Sequence, residues 1–176
     1  MSQLRTNSIV PVGGIPAGAD GGGIIQVVQT VKTDDASTTS NSYTDITGLS
    51  VTITPRSTSN KILIMMNVNI GHSTNATTGF RIIRGASTDI ASGTYAGSGY
   101  SAATVGGRIS VSDDGNLFAF SMQYLDSPAT TSATTYKIQW ATQSATAYIN
   151  RAASSTGGGF SRCTSISTLL AVEVSG

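Results

Sequence analysis

From residue 24 onward the chain is written in alternation. Residues 24–33 carry Ile25, Val27 and Val31 on one parity. Leu49, Val51 and Ile53 alternate with Ser50, Thr52 and Thr54, and Pro55 stops the run. The strongest stretch is 61–70, where Ile62, Ile64, Met66, Val68 and Ile70 share one parity. Its other parity, Lys61, Leu63, Met65, Asn67 and Asn69, is mixed. Successive strand side chains point to opposite faces, so each run predicts a strand with one buried face. The mixed second face of 61–70 predicts cover at one end and water at the other.

Further strands follow. Residues 80–84 predict a short one, and 85–107 read as a loop rich in Gly, Ser, Ala and Tyr. Residues 108–111 lead into Asp113-Asp114-Gly115-Asn116, a turn of residues that tolerate left-handed backbone. Residues 117–125 place Phe118, Phe120, Met122 and Tyr124 on one face, ended by Asp126-Ser127-Pro128. Residues 134–142 place Tyr136, Ile138 and Trp140 together, and 145–150 read as their partner across a short turn. A Gly-rich loop at 156–161 precedes a last strand, 165–174, with Ile166, Leu170, Val172 and Val174 inward. Eight or nine strands at about ten-residue spacing, with no helical period, predict an all-β domain over 24–176, an antiparallel sandwich or barrel.

Residues 1–23 are different. Pro11, Pro16 and six glycines between Gly13 and Gly23 disfavour regular structure. They read as an extended segment to about residue 11 and a linker over 12–23. Leu4, Ile9, Val10, Val12 and Ile15 are apolar, which a purely solvated tail does not need, so this segment reads as an assembly anchor. A disordered tail is the alternative.

Composition narrows the class. Ser, Thr, Gly and Ala fill 88 of 176 positions, and Asp, Glu, Lys and Arg only 11%. The residues that cover exposed helices are scarce, which excludes a helical bundle. A net charge of +1 without a basic cluster is no footprint for nucleic acid. No apolar run reaches the length of a membrane helix, and the first residues lack the apolar core of a signal peptide. The single cysteine, Cys163, forms no internal disulfide and reads as a small buried apolar residue of a chain folded in a reducing cytosol. So little charge leaves a surface that self-association would protect.

Candidate chemistry is thin. His72, the only histidine, reads as a loop residue after strand 61–70, and no Gly-x-Ser-x-Gly elbow accompanies it. Asp113, Asp114 and Asn116 lack the acidic residue that closes a calcium loop. Asp34, Asp35, Asp45, Asp89 and Asp126 read as turn and strand-end residues rather than a glycosidase pair. The glycine runs are followed by no Gly-Lys-Ser/Thr. No catalytic, cofactor-binding or metal-binding residue is assigned, no cofactor is expected, and the chain reads as a non-enzyme. Phe118, Phe120, Tyr124, Tyr136 and Trp140 fall at strand spacing and read as core. Tyr95 and Tyr100 sit in a Gly/Ser-rich loop, the chemistry of adaptable recognition surfaces, and are the candidate ligand contacts. An ordinary surface loop or a contact between subunits is the alternative.

Several stretches carry a resemblance. Gly23-Ile24-Ile25-Gln26-Val27-Val28-Gln29, the run from Tyr43 to Pro55, Ser59-Asn60-Lys61-Ile62-Leu63-Ile64, Leu125-Asp126-Ser127-Pro128 and Tyr136-Lys137-Ile138-Gln139 resemble small tail-fibre and virion structural proteins of bacteriophages. The opening Ser2-Gln3-Leu4-Arg5-Thr6-Asn7-Ser8-Ile9 is similar to segments that begin several phage fibre proteins, of the type found in phages of marine bacteria and cyanobacteria. The resemblance implies a homotrimer of jelly-roll-like β-sandwiches with an extended N-terminal anchor, residing in the virion. With it, the chain reads as a short tail fibre or knob that recognises the host surface, its loops 71–79, 85–107 and 152–162 offered to a surface glycan. A trimeric capsid decoration or head fibre that stabilises the shell is the alternative. Residues 1–23 would then dock on a tail, neck, baseplate or major capsid protein. No heptads or β-helical repeats are present for a long shaft.

Overall fold

The alternation at 61–70 becomes the strand on which the first sheet is built. The computed structural model describes residues 23–94, 102–110, 115–154 and 163–176. Among these, the strands in chain order are β1 (Ile24–Lys32), β2 (Ala36–Thr38), β3 (Thr44–Ile53), β4 (Lys61–His72), β5 (Ala76–Arg84), β6 (Thr88–Asp89), β7 (Val105–Ile109), β8 (Phe118–Asp126), β9 (Thr134–Gln143), β10 (Ala147–Ile149) and β11 (Ser167–Val174).

The first sheet runs β1-β11-β4-β10-β2 with β8 also on β4, and the second runs β3-β9-β5-β6 with β7 also on β5. A strand has only two edges. β8 lies along β4 from Ile62 to Ile70, so β11 and β10 share the opposite edge in tandem. β1 and β2 then continue each other beyond them. In the second sheet β7 and β6 likewise share the free edge of β5. The eleven segments therefore occupy eight positions, four per sheet. The first position pairs with the eighth, the second with the seventh, the third with the sixth, and the fourth with the fifth. All pairs are antiparallel, and this nesting is the order of a jelly roll. The fold expected from the sequence, an antiparallel jelly-roll-like β-sandwich, is the fold found.

The core lies between the sheets. Ile62, Ile64, Met66, Val68 and Ile70 meet Leu49, Val51, Ile53, Phe80, Tyr136, Ile138 and Trp140 across it. Phe80 and Phe120 come from opposite sheets and pack with ring centroids 5.4 Å apart. Burial of each such side chain stabilises the fold by about 1.5–3 kcal/mol. In β3, Ile46 and Leu49 are both buried although three residues apart, because the register shifts between Asp45 and Ser50. Gly48 supplies the left-handed backbone of that bulge, φ 81°.

Five expectations need correction. Val27 and Val31 point outward from β1, and Val28 packs on the core instead. In β11 the inward residues are Leu169, Ala171 and Glu173, whereas Ile166 is exposed and Leu170 and Val174 take the outer parity with Val172. β10 does not pair with β9; it crosses to the other sheet and pairs with β4 and β2. Residues 71–79 are not a loop, because β4 runs through Gly71 and His72 and β5 begins at Ala76. His72 is accordingly a buried strand residue. Cys163, expected inside, is exposed.

Two polar hubs close the ends of the first sheet. Glu173 is fully buried, yet its carboxylate accepts from Gln26 Nε2, from the Arg56 N–H at 2.6 Å and from Asn60 Nδ2. Burial pushes its pKa up, but these donors outweigh it and hold the carboxyl below its ordinary value. Asn150, in left-handed backbone at φ 64°, joins the tandem strands. Its Nδ2 donates to the carbonyls of Lys32 and Asp34, and its Oδ1 accepts from Ser167 Oγ at 2.7 Å.

Candidate interaction surfaces

The anchor residues Leu4, Ile9, Val10, Val12 and Ile15 and the loop tyrosines Tyr95 and Tyr100 lie outside the described residues, as do Asp113 and Asp114. The stems of two of the expected loops are described, and each is held the same way. At the 93–103 stem, Gly93 N–H donates to the Ala103 carbonyl at 3.0 Å, and Arg81 Nε donates to the Ala102 carbonyl at 2.9 Å. The Arg81 guanidinium lies 3.8 Å over the Tyr43 ring and 3.4 Å from Asp89. Partial burial raises the Tyr43 pKa, and the Arg81 charge partly opposes that. Beneath the ring sits Gly79, where any Cβ would strike the Tyr43 hydroxyl. At the stem of the 152–162 loop, the Arg151 guanidinium lies 4.1 Å over Tyr148, and Nε pairs with Asp35 at 2.5 Å. Arg151 Nη1 also donates to the Ala152 and Ala153 carbonyls. Each stem is thus bracketed by an arginine, a tyrosine and an aspartate. Arg81, Tyr43, Arg151 and Tyr148 were not singled out from the sequence as a site. Their only signal there is an Arg close to a small-residue loop.

The outer faces of the two sheets differ in kind. On the second sheet, Asp45 accepts from Lys137 Nζ and from Gln139 Nε2, each at 2.8 Å, and Thr52 bonds Thr135 across the strands. This is the polar outer face expected of a solvated antiparallel sheet. The first sheet instead carries an apolar row. Val27 pairs with Val172, Val172 with Leu63, and Leu63 with Leu125, so one apolar line crosses all four strand positions. The next row is Gln29, Leu170, Met65 and Gln123. Val27 is 55% and Leu125 52% exposed. Neither row carries a charge; Lys61, paired with Val174 in the next row and bonded to Ser127, is the charged side chain at that end among the described residues. A shallow groove of about 450 Å³ runs beside the line, between Met65, Met122 and Leu170.

The interior offers no solvent-facing reactive group at the histidine. His72 Nε2 is 2.7 Å from Thr78 Oγ1, which donates to Thr142 Oγ1 at 3.1 Å. Burial lowers the His72 pKa. Asp126, at the end of β8, accepts from Arg84 Nη1 at 2.9 Å and from the Tyr136 hydroxyl at 2.7 Å. Burial, first, and that aspartate raise the Tyr136 pKa far above its ordinary value. Both groups tie the two sheets together. Among the described residues, no three His, Cys, Asp or Glu side chains stand close enough to hold a metal ion. Compared with protein-family models and with curated proteins, the chain matches none.

Proposed function

We propose that the chain is a non-enzymatic bacteriophage virion protein, a short homotrimeric tail fibre or knob that recognises the host surface. Residues 1–23 would anchor it to a tail, neck or baseplate protein, and the loops would meet a surface glycan. The observation that carries the reading is the pair of bracketed loop stems. A rigid sandwich that clamps two small-residue loops by Arg–Tyr–Asp brackets is built as a scaffold for loops, which is where recognition concentrates in β-sandwiches. Three copies would multiply weak contacts into useful avidity. Substituting Tyr95 and Tyr100 by Ala is expected to reduce phage adsorption at least tenfold with the melting temperature of the protein unchanged. Undiminished adsorption removes the loop from the recognition surface.

A second reading is a trimeric capsid decoration or head fibre protein, anchored on the major capsid protein through residues 1–23 and stabilising the shell. Gold-labelled antibody to residues 24–176 on intact particles separates the two. Label at the tail supports recognition, and label over the head supports decoration. An absence of label with an antibody that binds the free protein removes both.

A further inference from the structure

We infer that the outer face of the β1, β11, β4 and β8 sheet is where further copies of this chain bind. This rests on the homotrimer reading and names the surface for it. The two sheets of one sandwich share a core and a solvent, yet only one is polar outside. The first keeps Val27, Val172, Leu63 and Leu125 in line across every strand, with Leu170 and Met65 behind them. Val172 is already buried among its neighbours, but Val27, Met65 and Leu125 are 55%, 39% and 52% exposed, and that apolar area stabilises nothing while it faces water. Apolar area covered by a partner stabilises the assembly in proportion to its extent.

The occupant follows from charge and area. A charged partner finds no counter-charge here beyond Lys61, which is engaged with Ser127. An almost uncharged, largely apolar partner fits, and this chain's own face is both. Amide and hydroxyl side chains flank the line and can pair with their own copies: Asn67 already donates to Ser121 across the strands at 2.8 Å. Four strands about 4.8 Å apart, running about 27 Å from Lys61 to Asn69, give roughly 500 Å² per copy. Three such faces turned to one threefold axis remove about 1,500 Å² from water, within the range of a specific interface. Leu125 stands out at the edge, and the groove between Met65, Met122 and Leu170 offers it a recess lined by adaptable thioethers.

The test is light scattering on the full chain and on a Met65→Lys/Leu125→Lys variant, with Thr135→Lys on the polar face as control. The wild type and control are expected at about three times the 18.0 kDa chain mass, and the variant at one. A multimeric variant with a cooperative melt overturns the face while leaving the homotrimer reading intact. A wild type at a single chain mass overturns both. Radical footprinting of the unaltered protein gives the same answer without a mutation. Met65 oxidation is expected to fall several-fold as the protein associates on concentration, and equal oxidation in both states overturns the assignment.

Discussion

At the scale of single residues, the polar groups inside the sandwich set its response to acid. Thr142 donates to the Thr77 carbonyl and Thr78 donates to Thr142, so the His72 Nε2–H donates to Thr78 and its Nδ1 is a bare acceptor. That Nδ1 is buried with no partner. A second proton would therefore be a buried charge with nothing to bond, which is why the folded pKa lies below the ordinary 6.5. The sign follows by linkage. As pH falls below 6.5 the unfolded chain binds a proton that the folded chain refuses, and stability drops until the depressed folded pKa is passed. The slope is expected to approach about 1.4 kcal/mol per pH unit. Denaturant melts from about pH 7 to about pH 5 are expected to show this loss, and His72→Gln is expected to flatten it. Glu173, Asp34 and Asp45 all hold carboxyls below their ordinary values and titrate on the acid side of that window.

At the scale of strands, close backbone approach decides what β4 tolerates. A Cβ at Gly71 would lie 2.5 Å from the Arg151 carbonyl and 2.9 Å from Ala152 Cα, where the chain leaves β10. Backbone cannot swing aside as a side chain can. Gly71→Ala is expected to cost about 1–3 kcal/mol, read as a lower denaturation midpoint at unchanged slope. The strands also show what the sequence could tell. β4, β9 and the second half of β3 alternate cleanly, and Leu49, Ile62, Phe120 and Tyr136 fall on the face that the alternation predicts. β1 and β11 were read inside out. Their outward residues, Val27, Val31, Leu170 and Val172, are as apolar as any core residue, while their inward ones include Lys32 and Glu173. Alternation cannot orient a strand whose two faces are equally greasy. Glu173 reads as a surface residue because its donors, Gln26, Asn60 and the Arg56 N–H, come from distant parts of the chain. Arg81 over Tyr43 is illegible for the same reason: Tyr43, just ahead of β3, and Arg81 on β5 are far apart in sequence and meet only in the folded second sheet. The faces misread from the sequence are the face proposed to be covered by other copies.

At the scale of the whole molecule, the nested pairing makes folding slow. Val27 meets Val172 across almost the whole domain, and the entropy of closing that loop opposes folding until late contacts form. Refolding followed by the single tryptophan, Trp140, buried in the core, is expected on the millisecond-to-second scale or slower. A microsecond phase carrying the full amplitude would contradict the nested order. The same pairing has a mechanical side. Ser175 N–H donates to the Gly23 carbonyl at 3.0 Å, so the domain is entered and left at one corner. Tension between those two points would peel β1 from β11 one rung at a time, beginning at Ile24 and Val174, as a zip opens. Tension entering at Gly23 and leaving through the loop stems would load the β1–β11 rungs together, in shear. A load attached at this corner thus meets a soft leash when the far end of the chain is pulled, and a stiff one when the loops are.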